Sequence, residues 1–168
     1  MNKRVFIAIK LDKQVVETIG KIQESLKKAG FTGVLVSKAN FHVTLAFIGE
    51  VNENELQIIQ NIIENIKFDT FKLEINNVKK FKNLMILELD KTEQLMALQK
   101  NIVTQLKSKN IKFDDKPYYP HITILRDEKT PSFEKQLCIQ NDVNNIYLLS
   151  TERINGKIQY VEISKSRW

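Results

Sequence analysis

The chain has 168 residues, enough for one compact domain spanning 1–168 that buries roughly 70% of the surface its extended form would expose. Its composition, 42% hydrophobic and 27% charged, is that of a globular protein and excludes a disordered chain or a helical membrane protein. A net charge of +6 and a pI near 9.3 suit an anionic partner such as nucleic acid, and equally suit a lysine-rich solvated surface.

In chain order, the start places Lys3 and Arg4 before a short apolar run that Lys10 closes, too soon for a signal peptide. The expectation is a soluble, cytoplasmic protein without a membrane partner. Residues 4–10 read as a strand, and Val15, Ile19, Ile22 and Leu26 then recur at helical spacing. A strand follows at 41–48. Leu56, Ile59, Ile63 and Ile66 mark a second helix, and 71–75 a further strand. Leu84 to Leu89 reads as a strand, Leu95, Leu98, Ile102 and Leu106 as a third helical stripe, and 120–125 as a strand. A short helix is expected near 132–138, then strands at 145–151 and 157–164 joined by the turn signal Asn155-Gly156. The sole cysteine, Cys138, excludes an intrachain disulfide or a thiolate metal cluster, and its neighbours Leu137 and Ile139 predict a buried thiol.

Two strand-helix-strand units recur at one offset. Val5 corresponds to Leu84 and His42 to His121, both 79 positions apart, which indicates a weak internal repeat. The predicted architecture is α+β and bilobal, with two similar lobes, each a sheet covered by helices, and a groove between them.

The chain has only two histidines, and both stand in the pattern His-apolar-Thr-apolar: His42-Val43-Thr44-Leu45 and His121-Ile122-Thr123-Ile124. With nine threonines in the chain, coincidence explains this poorly. In a strand, residues i and i+2 share a face, so each lobe presents a His/Thr pair opposite a buried apolar face. Phe41 and Phe47 fall on that apolar face and are expected in the core. Two such pairs across a groove suit phosphodiester chemistry. Histidine titrates near neutrality and serves as general acid or base, while threonine hydroxyls donate to phosphate oxygens as charge builds on them. No Asp or Glu stands two or four residues from either histidine, so a metal site is disfavoured and no cofactor is expected.

At these residues the sequence resembles the 2H phosphoesterase superfamily, defined by two His-x-Thr motifs, and within it the RNA 2',3'-cyclic phosphodiesterases, also called 2'-5' RNA ligases. The likeness extends over the opening Arg4-Val-Phe-Ile-Ala-Ile, the blocks from Asn40 to Val51 and from Pro120 to Arg126, and the ending from Ser150 to Tyr160. The resemblance implies a pseudo-twofold fold and metal-independent hydrolysis of RNA 2',3'-cyclic phosphate ends, such as those of tRNA fragments, to 2'-phosphates. It also implies weak reverse 2'-5' ligation. It gives His42 the role of acid and His121 that of base, with Thr44 and Thr123 on the phosphate. A monomer is expected.

Arg126 matches the family's arginine three residues past the second threonine and is a candidate phosphate or RNA contact. Two-residue counting places it on the face opposite His121, so a bend, the strand end or a long reach is needed. Tyr119 and Tyr118 either stack on a base or pack against the other lobe. The chain departs from the family at Val34-Leu35-Val36, where a Trp is usual, and at Ser37-Lys38, where Pro-Pro is common. Alternative readings are another 2H activity, on 2',5'-oligoadenylate or a cyclic nucleotide, or a non-catalytic RNA-binding module.

Overall fold

The apolar run near the start forms strand β1 (Lys3–Lys10), in which Val5 to Ile9 are all buried because both faces of the strand are covered. The computed structural model describes residues 2–167. Helix α1 (Lys13–Lys28) follows, then the two-residue strand β2 (Val34–Leu35), a 3-10 turn at Lys38–Asn40, and strand β3 (His42–Val51). Helix α2 (Glu53–Asn65) leads to strands β4 (Phe71–Phe81) and β5 (Leu84–Leu89). Helix α3 (Glu93–Ser108) precedes strands β6 (His121–Arg126), β7 (Glu134–Val143), β8 (Tyr147–Ile154) and β9 (Lys157–Lys165).

The helices start and stop where the sequence provides the means. Asn52 and Glu55 form a reciprocal capping box at the head of α2, an arrangement worth about 1 kcal/mol. Helices α1 and α3 end alike. Gly30 and Asn110 adopt left-handed backbone (φ 102° and 58°), and the next residues, Phe31 and Ile111, donate back to the carbonyls of Leu26 and Leu106. Both are Schellman closures that seat an apolar residue on the last helical turn.

Two antiparallel sheets result, ordered β3-β1-β8-β9 and β2-β6-β5-β4-β7. Laid over one another, the first matches β6-β5-β4-β7 of the second, strand for strand. The repeat found at 79 residues is therefore β1-α1-β3 against β5-α3-β6. Helix α1 crosses to the other lobe, packing on β6 and β7 of the second sheet, while α3 contacts β3 of the first sheet as well as β4 of the second. One hydrophobic cluster, including Ile7, Ile19, Leu45, Ile63, Leu87, Leu95 and Ile124, runs beneath both sheets. Each such side chain contributes about 1.5 to 3 kcal/mol by burial, so this shared core fixes the position of one sheet against the other.

Two expectations fail in the same place. Residues 134–143 form β7 rather than a helix near 132–138, pairing along β4 from Phe71↔Val143 to Lys79↔Glu134. Leu137 and Ile139 are packed against the core while Lys135, Gln136, Cys138 and Gln140 are exposed, a period of two where the helical reading assumed a turn. Cys138 is consequently exposed, because apolar neighbours one residue away in a strand lie on the other face.

Candidate active site

Strands β3 and β6 face each other where the two sheets meet, and each carries one His-x-Thr motif. Their first six residues share a single burial pattern: half-buried His, buried, half-buried Thr, two consecutive buried residues, then an exposed one. The consecutive buried pairs, Leu45-Ala46 and Ile124-Leu125, arise from matching β-bulges. The register passes from Ile7↔Ala46 to Ala8↔Thr44, leaving Leu45 without a partner, and from Met85↔Leu125 to Ile86↔Thr123, leaving Ile124 without one. A bulge shifts the facing of every residue beyond it.

Arg126 is thereby returned to the face of His121 and Thr123, where it lines the groove; it stands at the end of β6, just past a bulge that bends the strand. The same shift corrects the expectation for Phe47. It leaves the core and lines the groove beside His42 and Thr44, 36% exposed, with the Arg4 guanidinium 5.3 Å from its ring centre. Phe41, before the bulge, is buried as expected.

The groove is a cavity of about 200 Å³ that His42, Thr44, His121, Thr123 and Arg126 line together. Each histidine is oriented in the same way. His42 Nδ1 lies 2.8 Å from the carbonyl of Asn40, and His121 Nδ1 lies 2.7 Å from that of Tyr119, in both cases the residue two places earlier. A carbonyl only accepts, so both Nδ1 atoms carry hydrogen and Nε2 is the exchanging nitrogen. His42 Nε2 lies 3.0 Å from Thr44 Oγ1.

Beyond this the lobes differ. His42 packs against Phe6 and Tyr160, with ring centres 5.0 and 5.1 Å away. Its burial holds its pKa below the ordinary histidine value. The Asn40 carbonyl opposes that shift, while the positive charges of Arg126 and His121 add to it. His121 has the Tyr119 ring at 5.4 Å and Phe81 at 6.4 Å. The Tyr119 hydroxyl donates to Glu88 Oε2 at 2.6 Å, and Glu88 is also held by Asn77 and Lys79. That hydrogen bond lowers the pKa of Glu88. Burial, together with Glu88, raises that of Tyr119. Tyr118 packs across to the first lobe, its hydroxyl donating to the Thr44 carbonyl at 2.8 Å.

The groove also includes Phe6, Val36, Thr151 and Tyr160, which motif reading did not assign. The turn at Asn155-Gly156 could have found two of them, since counting outward from it places Thr151 opposite Tyr160, as the structure does. Val36 stands in the segment that departs from the family's Trp. Among the described residues no group of three or more His, Cys, Asp or Glu side chains could hold a metal ion, and no helix is long and apolar enough to cross a membrane.

A sequence profile of the 2'-5' RNA ligase superfamily matches residues 11–153. The chain belongs to that superfamily. Among its relatives, the RNA 2',3'-cyclic phosphodiesterase of Thermotoga maritima is 33% identical over 135 residues, covering 76% of this chain and 72% of the relative. The protein of the same name from Methanothermobacter thermautotrophicus is 24% identical over 174 residues, covering 99% and 90%. In fold, this superfamily member is similar to the crystal structure of E. coli LigT complexed with 3'-AMP, with a TM-score of 0.87 at 22% identity over 98% of this chain and 97% of that one. The fold is thus the bilobal 2H phosphoesterase architecture expected from the sequence.

Proposed function

We propose that this protein hydrolyses 2',3'-cyclic phosphate ends of RNA, with His42 and His121 as its acid-base pair. The observation that carries the reading is the paired orientation of the histidines: each Nδ1–H is fixed on a backbone carbonyl and both side chains line one groove with two threonines and an arginine. The names of the relatives, RNA 2',3'-cyclic phosphodiesterases from bacteria and archaea, supply the substrate. In the reaction a water oxygen bonds to phosphorus as the bond to the ribose 3' oxygen breaks. One Nε2 takes the water's proton, and the other histidine gives its proton to the departing oxygen. The product carries a 2'-phosphate and a free 3' hydroxyl.

Thr44 and Thr123 donate to the non-bridging oxygens, and Arg126 offers its guanidinium to the same charge. Tyr119 and Phe47 present aromatic faces beside this centre and serve as RNA contacts. All these residues come from one chain, so a monomer suffices. The proposed setting is the cytoplasm and the proposed substrates include tRNA fragments. Weak 2'-5' ligation, which the resemblance implies, is the same displacement with an RNA 5' hydroxyl in place of water: its oxygen bonds to phosphorus as the bond to the 3' oxygen breaks. The role of acid falls to His42 and that of base to His121 by resemblance alone.

The test is an RNA oligonucleotide ending in a 2',3'-cyclic phosphate, incubated with the protein in EDTA and followed by phosphorus NMR. A 2'-phosphate product is expected. A 3'-phosphate, restoration of lost turnover by added divalent metal, or turnover only of 2',5'-oligoadenylate would each overturn this assignment.

A further inference from the structure

Each histidine of the groove is fixed by the carbonyl of the residue two places before it, and neither of those residues belongs to a strand: Asn40 stands in the 3-10 turn and Tyr119 just before β6. In the first lobe the peptide that carries this carbonyl is anchored twice. The Phe41 amide donates to the Lys38 carbonyl at 3.3 Å, and Asn40 Nδ2 donates to the Ile158 carbonyl at 3.1 Å. In the second lobe the same peptide ends on Pro120 and has no N–H with which to anchor itself. The Tyr119 side chain is held instead. Its hydroxyl donates to Glu88 Oε2 at 2.6 Å, a charge-assisted bond, and its raised pKa keeps it a donor. Glu88 is the register partner of His121 on β5, and it is itself fixed: Asn77 Nδ2 donates to Oε1 at 3.1 Å, and Lys79 Nζ lies 3.6 Å from Oε2. A carboxylate beside a phosphate site opposes the substrate's charge, so its place there has to be explained by what it holds. The repeat does not require an acid at this position, since the register partner of His42 is Lys10.

On the reading that His121 exchanges a proton with the reacting oxygens, we infer that Glu88 is a positioning residue for His121, acting through Tyr119. The carboxylate fixes the phenol, the phenol restrains the backbone of its own residue, and the Tyr119 carbonyl keeps hydrogen on Nδ1 of the imidazole. Nε2 is thereby left free for the reaction. Tyrosine suits this relay, because only two side-chain torsions separate its hydroxyl from its carbonyl. The arrangement serves the same end as a carboxylate bonded directly to a catalytic imidazole, which holds tautomer and ring orientation without touching substrate. Loss of the relay should therefore slow the chemical step and release the tautomer, while leaving substrate affinity in place.

The experiment measures kcat and KM on an RNA end carrying a 2',3'-cyclic phosphate, and reads the tautomer of neutral His121 by proton-nitrogen NMR of its ring. Tyr119→Phe keeps the ring beside His121 and Phe81 and deletes only the donor. Tyr119→Phe and Glu88→Ala should each lower kcat about 3- to 10-fold with little change in KM, and the double variant should be no slower than either, because both break one relay. Glu88→Gln retains an acceptor for the hydroxyl and should recover part of the loss. In the wild type the hydrogen should sit on Nδ1, and both Tyr119→Phe and Glu88→Ala should gain the form with hydrogen on Nε2. A merely structural contact would change stability without moving the tautomer, so circular dichroism and a urea midpoint accompany each variant. Wild-type kcat with an unchanged tautomer in both single variants would overturn the inference. A loss confined to KM would make Tyr119 and Glu88 substrate contacts and overturn it too, as would losses that multiply in the double variant. Failure of the wild type to open the cyclic phosphate would instead remove the functional reading on which the inference rests, and the NMR comparison, which needs no turnover, tells the two failures apart.

Discussion

Phe47 and Arg126 occupy the same position in the two halves of the molecule, five residues beyond a histidine and just past a β-bulge, and both line the catalytic groove. One lobe thus brings an aromatic face to the groove and the other a guanidinium. The repeat fixes where the side chains point, and the halves differ in which side chain stands there.

Removing the cation should therefore affect the reaction itself. Arg126→Leu should lower kcat/KM on a cyclic-phosphate RNA end roughly 10- to 100-fold, the consequence of losing about 1.5 to 3 kcal/mol of charged hydrogen bonding. Arg126→Lys should recover only part of that loss, because an ammonium does not reproduce a planar fork of donors. If Arg126→Leu kept wild-type turnover, the guanidinium would have no role in phosphate binding.

Much of this was legible in the sequence, and the gaps have one physical origin. The helices, the repeat offset and both His/Thr pairs follow from periodicity, because burial imposes a period of 3.6 on helices and two on strands. Phe47 and Arg126 were misplaced by that same counting. A bulge adds one residue to the strand and leaves no mark in Leu45 or Ile124, which suit a regular strand equally well. Residues 132–138 failed for a different reason: β7 is the edge strand beside β4 and only half of it faces the core, so its apolar signal is thin. The crossing of α1 onto the opposite lobe is a tertiary choice that neither helix encodes locally.

Glu128 lies outside the chemistry and holds the groove's rim. Its carboxylate, 1% exposed, accepts the Gly33 amide at 2.8 Å, the Thr130 amide at 3.1 Å and the Thr130 hydroxyl, and so ties the approach to β2 against the end of β6. Gly33 is needed at that contact, since a Cβ there would lie 2.8 Å from the Arg126 carbonyl oxygen. Burial alone would raise the Glu128 pKa, but these donors outweigh it and bring it to about 2. A carboxylate depressed on folding stabilises the native state above its unfolded pKa, and that contribution is lost as pH falls towards the folded value. The urea midpoint of the wild type should therefore exceed that of Glu128→Gln at pH 6, and the gap should close between about pH 4.5 and 2. A gap that stays constant through that range would show that the ionised carboxylate contributes nothing.

The environment of His42 predicts a pH signature. Burial against Phe6 and Tyr160 depresses its pKa, whereas a bound phosphate favours the charged imidazolium and raises it. NMR titration of His42 should give a midpoint below the ordinary histidine value in the free protein and a higher one with inorganic phosphate bound. Because kcat/KM reports the free enzyme and kcat the complex, one limb of the kcat/KM profile should lie at lower pH than its counterpart in kcat. Superimposable profiles would exclude a depressed His42 from the reaction.

The threonines separate phosphate binding from fold. Thr44→Val and Thr123→Val keep a β-branched side chain in each strand and delete a donor, a change typically worth roughly 2.7 to 4 kcal/mol of transition-state stabilisation. Thr44 also meets His42 Nε2 at 3.0 Å, so its replacement should move the His42 titration as well. Slower turnover by both variants with unchanged circular dichroism is expected. Near wild-type rates for either would make that hydroxyl structural.

The histidine pair gives the sharpest prediction, because its members act in a single displacement. If one takes the proton of water while the other protonates the leaving oxygen, only enzyme with one proton correctly placed across the pair is active, and the pH profile is bell-shaped. Its limbs belong to the pair, so they do not assign the roles to His42 and His121. Mutation separates the pair from two independent contributors. His42→Ala and His121→Ala should each remove most of the activity, and the double variant should be little slower than either, since a displacement that has lost its base gains little from keeping its acid. All three are measured on one cyclic-phosphate RNA end, with folding verified by circular dichroism. Close to full activity in either single variant would end the two-histidine mechanism. Losses that multiply in the double variant would show that His42 and His121 act in separate steps.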